Sequence, residues 1–336
     1  MYQNDPFENP SIQNENAFNA IRFYLCMTVV TFHSLTNISI GNNNPFLDGH
    51  LAVSGFFIIS GFWITKSFLS SKDLKDFFSK RLKKILPMYY IAVIGFSILC
   101  LKYSMLSPKE YFGIEYWKYL FWNCIFLNFM HPSLPGCFDG AAVNGSLWTI
   151  KIEVGFYIIL PLLMHIMKKL KTTMKKNIFL ISIYILSVLY NVALHRLASK
   201  WNLPAQLEHQ LPGLMSFFVS GMIIFLNWQY FIKYKNFLII PSIVLFVLRY
   251  YTHTEFLFPI AFSIIITFLA LSLKFLKSIG RPIDFSWGMY LFHFPVMQII
   301  KYHGFSGNAL IYLFSVIGIS FTLTFIIEKY IQKKIK

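Results

Sequence analysis

Near-continuous apolar runs recur along almost the whole chain, separated by short polar or basic stretches. Runs of membrane-spanning length fall near residues 18–38, 50–70, 86–104, 149–167, 177–194, 211–227, 236–251, 256–273, 285–301 and 308–328. No Pro/Ser-rich linker interrupts them, and no polar block is large enough to build a separate core. The pattern predicts an all-α, polytopic transmembrane helical bundle of about ten spans. It forms one membrane domain over residues 18–328, after a short polar N-terminus (1–17) and before a basic tail (329–336).

One run departs from the pattern. YWKYLFWNCIFLNFM, residues 116–130, is apolar but short, and the Gly/Pro-containing loop HPSLPGCFDGAAVNGS follows it. It reads as a re-entrant or interfacial segment, whose non-helical backbone must be buried in protein or line a water-filled cavity. The alternative is an eleventh crossing, which would move every later basic cluster to the other side of the membrane.

Composition sharpens this picture. Hydrophobic residues make up 56% of the 336, aromatic residues 19% and charged residues only 13%. With a mean hydropathy of +0.55, a water-soluble globular chain is excluded. The formal charge of +16 does not point to nucleic acid, because the Lys and Arg residues sit in short clusters between apolar runs. The clusters are SKDLKDFFSKRLKK, KKLKTTMKK, KYK, KFLKSIGR and EKYIQKKIK; about twenty of the 30 basic residues fall on one side if both termini are cytoplasmic, as the positive-inside rule requires. The same clusters suit anionic lipid headgroups. The first 17 residues hold Asp5, Glu8 and Glu15 but no Lys or Arg, so no secretory signal peptide is expected. Of the 4 cysteines, Cys26 and Cys100 read as packing residues, while Cys124 and Cys137 flank the polar loop and allow a disulfide.

Ionisable residues inside apolar runs are costly, and their default reading is functional. Arg22 and His33 lie in the first run and share one helical face, since eleven steps at ~100° return to within about 20° of the start. An Arg near one membrane surface would place His33 about 16 Å deeper, roughly halfway through a ~30 Å hydrocarbon core. Glu153 is the acid of the fourth span, with Tyr157 one turn later on the same face. Arg81 and Lys84 close a basic loop before the third span. Trp148 and Trp287 read as interfacial anchors or sugar platforms. His293, between Phe292 and Phe294, reads as a residue that hydrogen-bonds between helices. No metalloprotease helix, phosphate-binding Gly loop, dinucleotide fingerprint or Cys/His zinc spacing occurs, so no metal site is expected.

Five motifs stand in order along the chain. They are Arg22 and His33 separated by ten residues, GHLAVSGFFIISGF from Gly49 to Phe62, and Arg81-Leu-Lys-Lys84-Ile-Leu-Pro87. They continue with Ser146-Leu-Trp148-Thr-Ile-Lys-Ile-Glu153-Val-Gly-Phe-Tyr157 and Phe285-Ser286-Trp287-Gly288-Met-Tyr290-Leu-Phe-His293-Phe-Pro295-Val296. Together they resemble the acyltransferase 3 family of bacterial membrane O-acyltransferases, from about residue 18 to the last helix. Lys84 stands where Arg is common in that family, and Ser54-Gly55 precede the Phe pair where a bulkier acidic or apolar residue is often seen.

The resemblance implies an O-acetyltransferase in the bacterial inner membrane, moving acetyl from acetyl-CoA, a co-substrate rather than a bound cofactor, to a glycan or lipid-linked saccharide hydroxyl. Such transfer needs a base for the alcohol proton, stabilisation of an oxyanion, and anchors for the donor's phosphates. His33 suits the base, or it carries the acyl group itself; Glu153 would orient it. Arg81 and Lys84 would hold the donor, Arg22 would hold a donor phosphate or a carbonyl developing negative charge in catalysis, and Trp148 and Tyr157 would bind the acceptor. A transporter or flippase for a glycan or lipid precursor is the rival class.

Overall fold

The computed structural model describes residues 16–39, 47–201, 204, 207–252, 256–279, 284–305 and 307–335. The predicted polar N-terminus up to residue 15, residues 280–281 at the end of the basic segment KFLKSIGR with 282–283 after them, and Lys336 lie outside them. Among the described residues every regular element is helical. The main helices are α1 (Phe18–Asn37), α2 (Gly49–Leu69), α3 (Leu74–Tyr90), α4 (Ile114–Cys124), α5 (Trp148–Lys169) and α6 (Thr173–Trp201). They continue as α7 (Leu211–Leu226), α8 (Trp228–Thr252), α9 (Phe258–Ser272), α10 (Phe285–Tyr302) and α11 (Ala309–Ile335).

Each predicted run coincides with a helix, but among the described residues only 6 helical segments are long and apolar enough to cross a membrane. They are Gly49–Leu69, Leu74–Tyr103, Phe138–Lys169, Thr173–Leu197, Trp228–Arg249 and Ala309–Ile331. α7 and α9 are strongly apolar but have only 16 and 15 residues, about 24 and 22 Å of rise. α1 and α10 have 20 and 18 residues and carry polar groups along their length. The exposed face of α8, with Phe237 76% and Ile240 68% accessible, is what a helix facing lipid presents.

The basic stretch before the third span, predicted as a loop, is helical. Asp73 accepts the backbone N–H of Asp76 at 2.7 Å, while Asp76 accepts that of Lys72 at 3.0 Å, which satisfies two of the start's orphan donors. Lys, Arg and Leu are good helix formers, so Arg81 and Lys84 lie within α3. Beyond Tyr90 the chain continues through a wide π turn, Ile91–Gly95, to Phe96–Leu99 and a tight last turn, Cys100–Tyr103.

The chain divides into two compact units. The first comprises Met1–Ile21, Val53–Ser79 and Ile152–Ile279. Within it α2 and α7 cross at backbone contact: a Cβ on Gly61 would lie 1.9 Å from the Phe218 carbonyl oxygen, and one on Gly221 2.1 Å from that of Ile58. Small residues permitting close approach are the usual device of membrane helix packing. Phe156 of α5 stacks on Phe218 at 4.2 Å. α6 joins α7 through Asn191, which donates to the Gly213 carbonyl at 2.7 Å, and Ser187, which donates to that of Pro212 at 2.6 Å.

The second unit comprises Arg22–Ala52, Lys80–Lys151 and Gly280–Lys336. Helix α10 is its most enclosed element, with Gly288 to His293 and Pro295 to Gln298 all buried. α4 belongs here as well. Its 11 residues rise only about 16 Å, and its end is capped by tyrosines of α3: Tyr89 donates to the Asn123 carbonyl at 2.7 Å and Tyr90 to that of Cys124 at 3.4 Å. These satisfy carbonyls that a helix end would otherwise leave orphaned. The loop that follows attaches to α10. Proline at 295 has no N–H to offer the Leu291 carbonyl; Asn144 donates to it instead, at 2.8 Å, and Gln298 donates to the Ala142 carbonyl at 2.8 Å.

The predicted option of a Cys124–Cys137 disulfide is not realised: all four cysteines are free. The Cys137 thiol instead donates to the Cys100 carbonyl at 3.3 Å, because the loop folds back on the end of the third span rather than on α4.

Candidate functional site

Within the second unit α1 and α10 run parallel and in register. At their N-terminal ends Arg22 Nη1 lies 3.7 Å from Asp284 Oδ2. The Cys26 thiol then donates to the Ser286 carbonyl at 3.2 Å. Further along, His33 Nδ1 lies 2.9 Å from His293 Nε2, with the two rings almost coplanar in orientation, 5° apart, and their centroids 5.2 Å apart. At the far end Lys301 donates to the Asn37 carbonyl at 3.2 Å, and Asn37 to the Tyr312 hydroxyl at 2.7 Å. The histidine pair therefore sits between two polar fastenings.

The predicted common face of Arg22 and His33 is present, since both side chains meet α10. His33 stands about 6 Å of helix rise before Asn37 and about 22 Å after Phe18, closer to the C-terminal end of α1 than to its middle.

His293 is wholly buried, whereas His33 is partly accessible. Phe294 packs edge-on against His33 at 5.4 Å, and Phe32 against the exposed His50 at 5.8 Å. Aromatic rings thus flank the pair, and His33 is its partly accessible member.

Asp284 is the N-cap of α10: it accepts from the backbone N–H of Ser286 at 3.2 Å and from the Ser286 hydroxyl. Burial pushes its pKa up, but the charges of Arg22 and Lys84 and the Ser286 hydrogen bonds together hold it below the ordinary carboxylate value. Lys84, one turn after Arg81 on α3, lies close enough to act on Asp284 and on Glu328 of α11. Two predicted donor-binding cations, Arg22 and Lys84, thus stand among carboxylates.

In the first unit Glu153 Oε1 accepts from the Ser60 hydroxyl and from the Tyr157 hydroxyl, each at 3.0 Å. The predicted common face of Glu153 and Tyr157 is present, and it carries a hydrogen bond between them that was not predicted. Trp148 opens α5 in a half-buried position, and Lys151 places its ammonium 4.4 Å from the Phe129 ring centroid. The Trp287 indole N–H is buried without a hydrogen-bond partner among the described residues. No group of three or more metal-ligating side chains occurs among the described residues.

Asp284 and Asn144 were not singled out in the sequence, and Tyr290 appeared there only as a member of the Phe285–Val296 motif. Asp284 carried a readable signal, Asp-x-Ser immediately before an apolar helical run. Asn144 carried none, because its partner on α10 lies more than a hundred residues away.

Membrane-length apolar helices, with ionisable side chains paired among them, define an integral membrane protein with polar groups held in its interior. The chain belongs to the acyltransferase 3 family: the family model, described as an acyltransferase domain, matches residues 15–329. It is similar to the O-acetyl transferase of Shigella phage Sf6, 25% identical over 342 residues that cover 95% of this chain and 96% of that protein. It is also similar to nodulation protein 10 of Rhizobium leguminosarum bv. viciae, 22% identical over 183 residues that cover 49% of this chain and 48% of the relative. No solved structure matches the chain. The protein is a membrane O-acyltransferase.

Proposed function

We propose that this enzyme transfers an acetyl group from acetyl-CoA to a hydroxyl of a bacterial surface polysaccharide or its lipid-linked precursor, with His33 as general base. The observation that carries this reading is the His33–His293 pair: a partly accessible imidazole held by a buried one inside the helix bundle. The likeness to a phage O-acetyl transferase over nearly the whole chain supports acetyl as the group moved. In the reaction His33 takes the proton of the acceptor hydroxyl, and the oxygen attacks the thioester carbonyl. The C–S bond then breaks, and the coenzyme A thiolate leaves and recovers a proton from the imidazolium.

Arg81 and Lys84 hold the donor's phosphates at the inner end, with Arg22 beside them. Arg22 and His33 are about 16 Å apart along α1, a distance that an extended phosphopantetheine arm spans. The position of His33 near the far end of α1 supports acceptor entry from the extracytoplasmic face, and Trp148 and Tyr157 are the residues that bind the acceptor.

The enzyme lies in the inner membrane with ten spans and both termini cytoplasmic. The parallel contact of α1 and α10 supports this count, because it requires an even number of crossings between their starts. α1, α2, α3, α5, α6, α7, α8 and α9 satisfy that only if α4 does not cross, consistent with its length and its tyrosine-capped end.

The test is proton NMR of surface polysaccharide from cells lacking the gene, complemented with wild type or with His33→Ala. Acetyl signal lost on deletion and restored by wild type alone is the expected result. Unchanged acetylation on deletion would sink the proposal. Restoration by a His33→Ala protein present at wild-type level would remove His33 from it.

A further inference from the structure

The two nitrogens of His293 have different neighbours. Nδ1 lies 2.8 Å from the Tyr290 carbonyl oxygen and 3.2 Å from that of Met289. Carbonyl oxygens only accept, so Nδ1 carries the hydrogen. Among the described residues no carboxylate touches either ring, and a second proton on a wholly buried imidazole would leave an uncompensated charge in an apolar bundle. His293 is therefore neutral with a bare Nε2, and the 2.9 Å contact can only be His33 Nδ1–H donating to it. The hydrogen of neutral His33 is thereby assigned to Nδ1, and its lone pair to Nε2.

We propose that His293 is a positioning residue that locks His33 in the Nδ1–H tautomer, so that Nε2 is the atom that takes the acceptor's proton. This rests on the reading of His33 as the base. It gives His293 the role that a carboxylate plays in the serine hydrolase triad, with a neutral acceptor in its place. A neutral partner fixes orientation and stabilises the imidazolium less than a carboxylate would, which leaves the resting His33 unprotonated and ready to accept.

The surroundings of His293 are built to hold it. The Tyr290 carbonyl that fixes Nδ1 also accepts from the Ser146 hydroxyl at 3.3 Å. The Tyr290 hydroxyl lies 2.7 Å from that of Thr149. One residue along, the Leu291 carbonyl left free by Pro295 is taken by Asn144. The loop and the start of α5 thus clasp the turn of α10 whose carbonyl sets the tautomer.

The test uses the full-length protein in detergent, with acetyl-CoA as donor and host polysaccharide stripped of O-acetyl by mild alkali as acceptor. His293→Phe keeps the ring volume and removes the acceptor, whereas His293→Gln offers an amide oxygen near the position of Nε2. The expected result is a kcat lower by roughly 10²-fold in His293→Phe at unchanged donor KM, with His293→Gln within about tenfold of wild type. A folded His293→Phe protein with near-normal kcat overturns the proposal. Equal loss in two folded variants also overturns it, since His293 would then do something an amide acceptor cannot replace.

If the variants do not fold, histidine ¹⁵N spectra of the wild type, assigned with His33→Gln, read the tautomer directly. A protonated Nδ1 on His33 is expected, and a protonated Nε2 overturns the assignment. An active His33→Gln enzyme would sink the base reading itself. A dead His33→Gln with an active His293→Phe would leave that reading standing and sink only the role of His293.

Discussion

At the scale of single residues, Arg22 shows what a sequence can and cannot disclose. Its helical face was legible, because eleven residues on a helix return to the same side whatever surrounds them. Its partner was not, because Asp284 lies on a helix far along the chain. The pair is neither exposed nor sealed, with side-chain accessibilities of 17% and 28%. Its contribution therefore falls between the ~1 kcal/mol of a surface pair and the roughly 3–5 kcal/mol lost when a buried pair is broken from one side. We expect Arg22→Gln and Asp284→Asn each to lower the melting temperature in detergent, and the double variant to lose less than the sum; strict additivity would mean that the two charges do not support each other. The sign with pH follows from the lowered pKa of Asp284. The pair's contribution is complete above the unfolded carboxylate value and disappears only as pH falls through the lower folded one, so a scan from pH 8 to 5.5 leaves it unchanged.

At the scale of elements, the ten apolar runs were legible as helices because length and hydrophobicity alone dictate that outcome in a membrane. The start of α3 was not. Its basic residues read as a loop by the logic of topology, while local helix propensity and the Asp73 and Asp76 caps extend the helix through them. Helix crossings were equally invisible, since Gly61 and Gly221 become meaningful only when their backbones meet Phe218 and Ile58. Their contact is between main chains, which cannot move aside as a side chain would. Gly61→Ala and Gly221→Ala are each expected to destabilise by about 1–3 kcal/mol, the usual cost of overpacking. Gly95→Ala, where nothing lies within 4 Å of the added carbon, serves as the comparison and leaves the melting temperature near wild type. Because Ser60 adjoins Gly61 and donates to Glu153, displacement of α2 would also loosen the Glu153–Tyr157 pair. An unchanged melting temperature in Gly61→Ala would mean that the crossing is looser than described.

At the scale of the whole molecule, the number of crossings and the placement of the site are one question. Charge clusters suggested the orientation from sequence, but the short segment before the loop left two counts open, because hydropathy cannot tell a re-entrant helix from a spanning one. The parallel register of α1 and α10 adds an argument that sequence lacks. Two spanning helices that run the same way beside each other start on the same side, so if the other eight helices between their starts all cross, a crossing by α4 would place their N-termini on opposite faces. Arg22, Lys84 and Asp284 would then be impossible neighbours, yet Arg22 lies 3.7 Å from Asp284. Single cysteines at Ser133 and Thr172, in a chain with its four native cysteines replaced, separate the two counts. With ten spans, a membrane-impermeant maleimide applied to intact cells labels position 133 and leaves 172 untouched; with eleven, the labelling inverts. The inverted result would overturn the ten-span count, because the crossings between the starts of α1 and α10 would then be odd while the two helices run parallel.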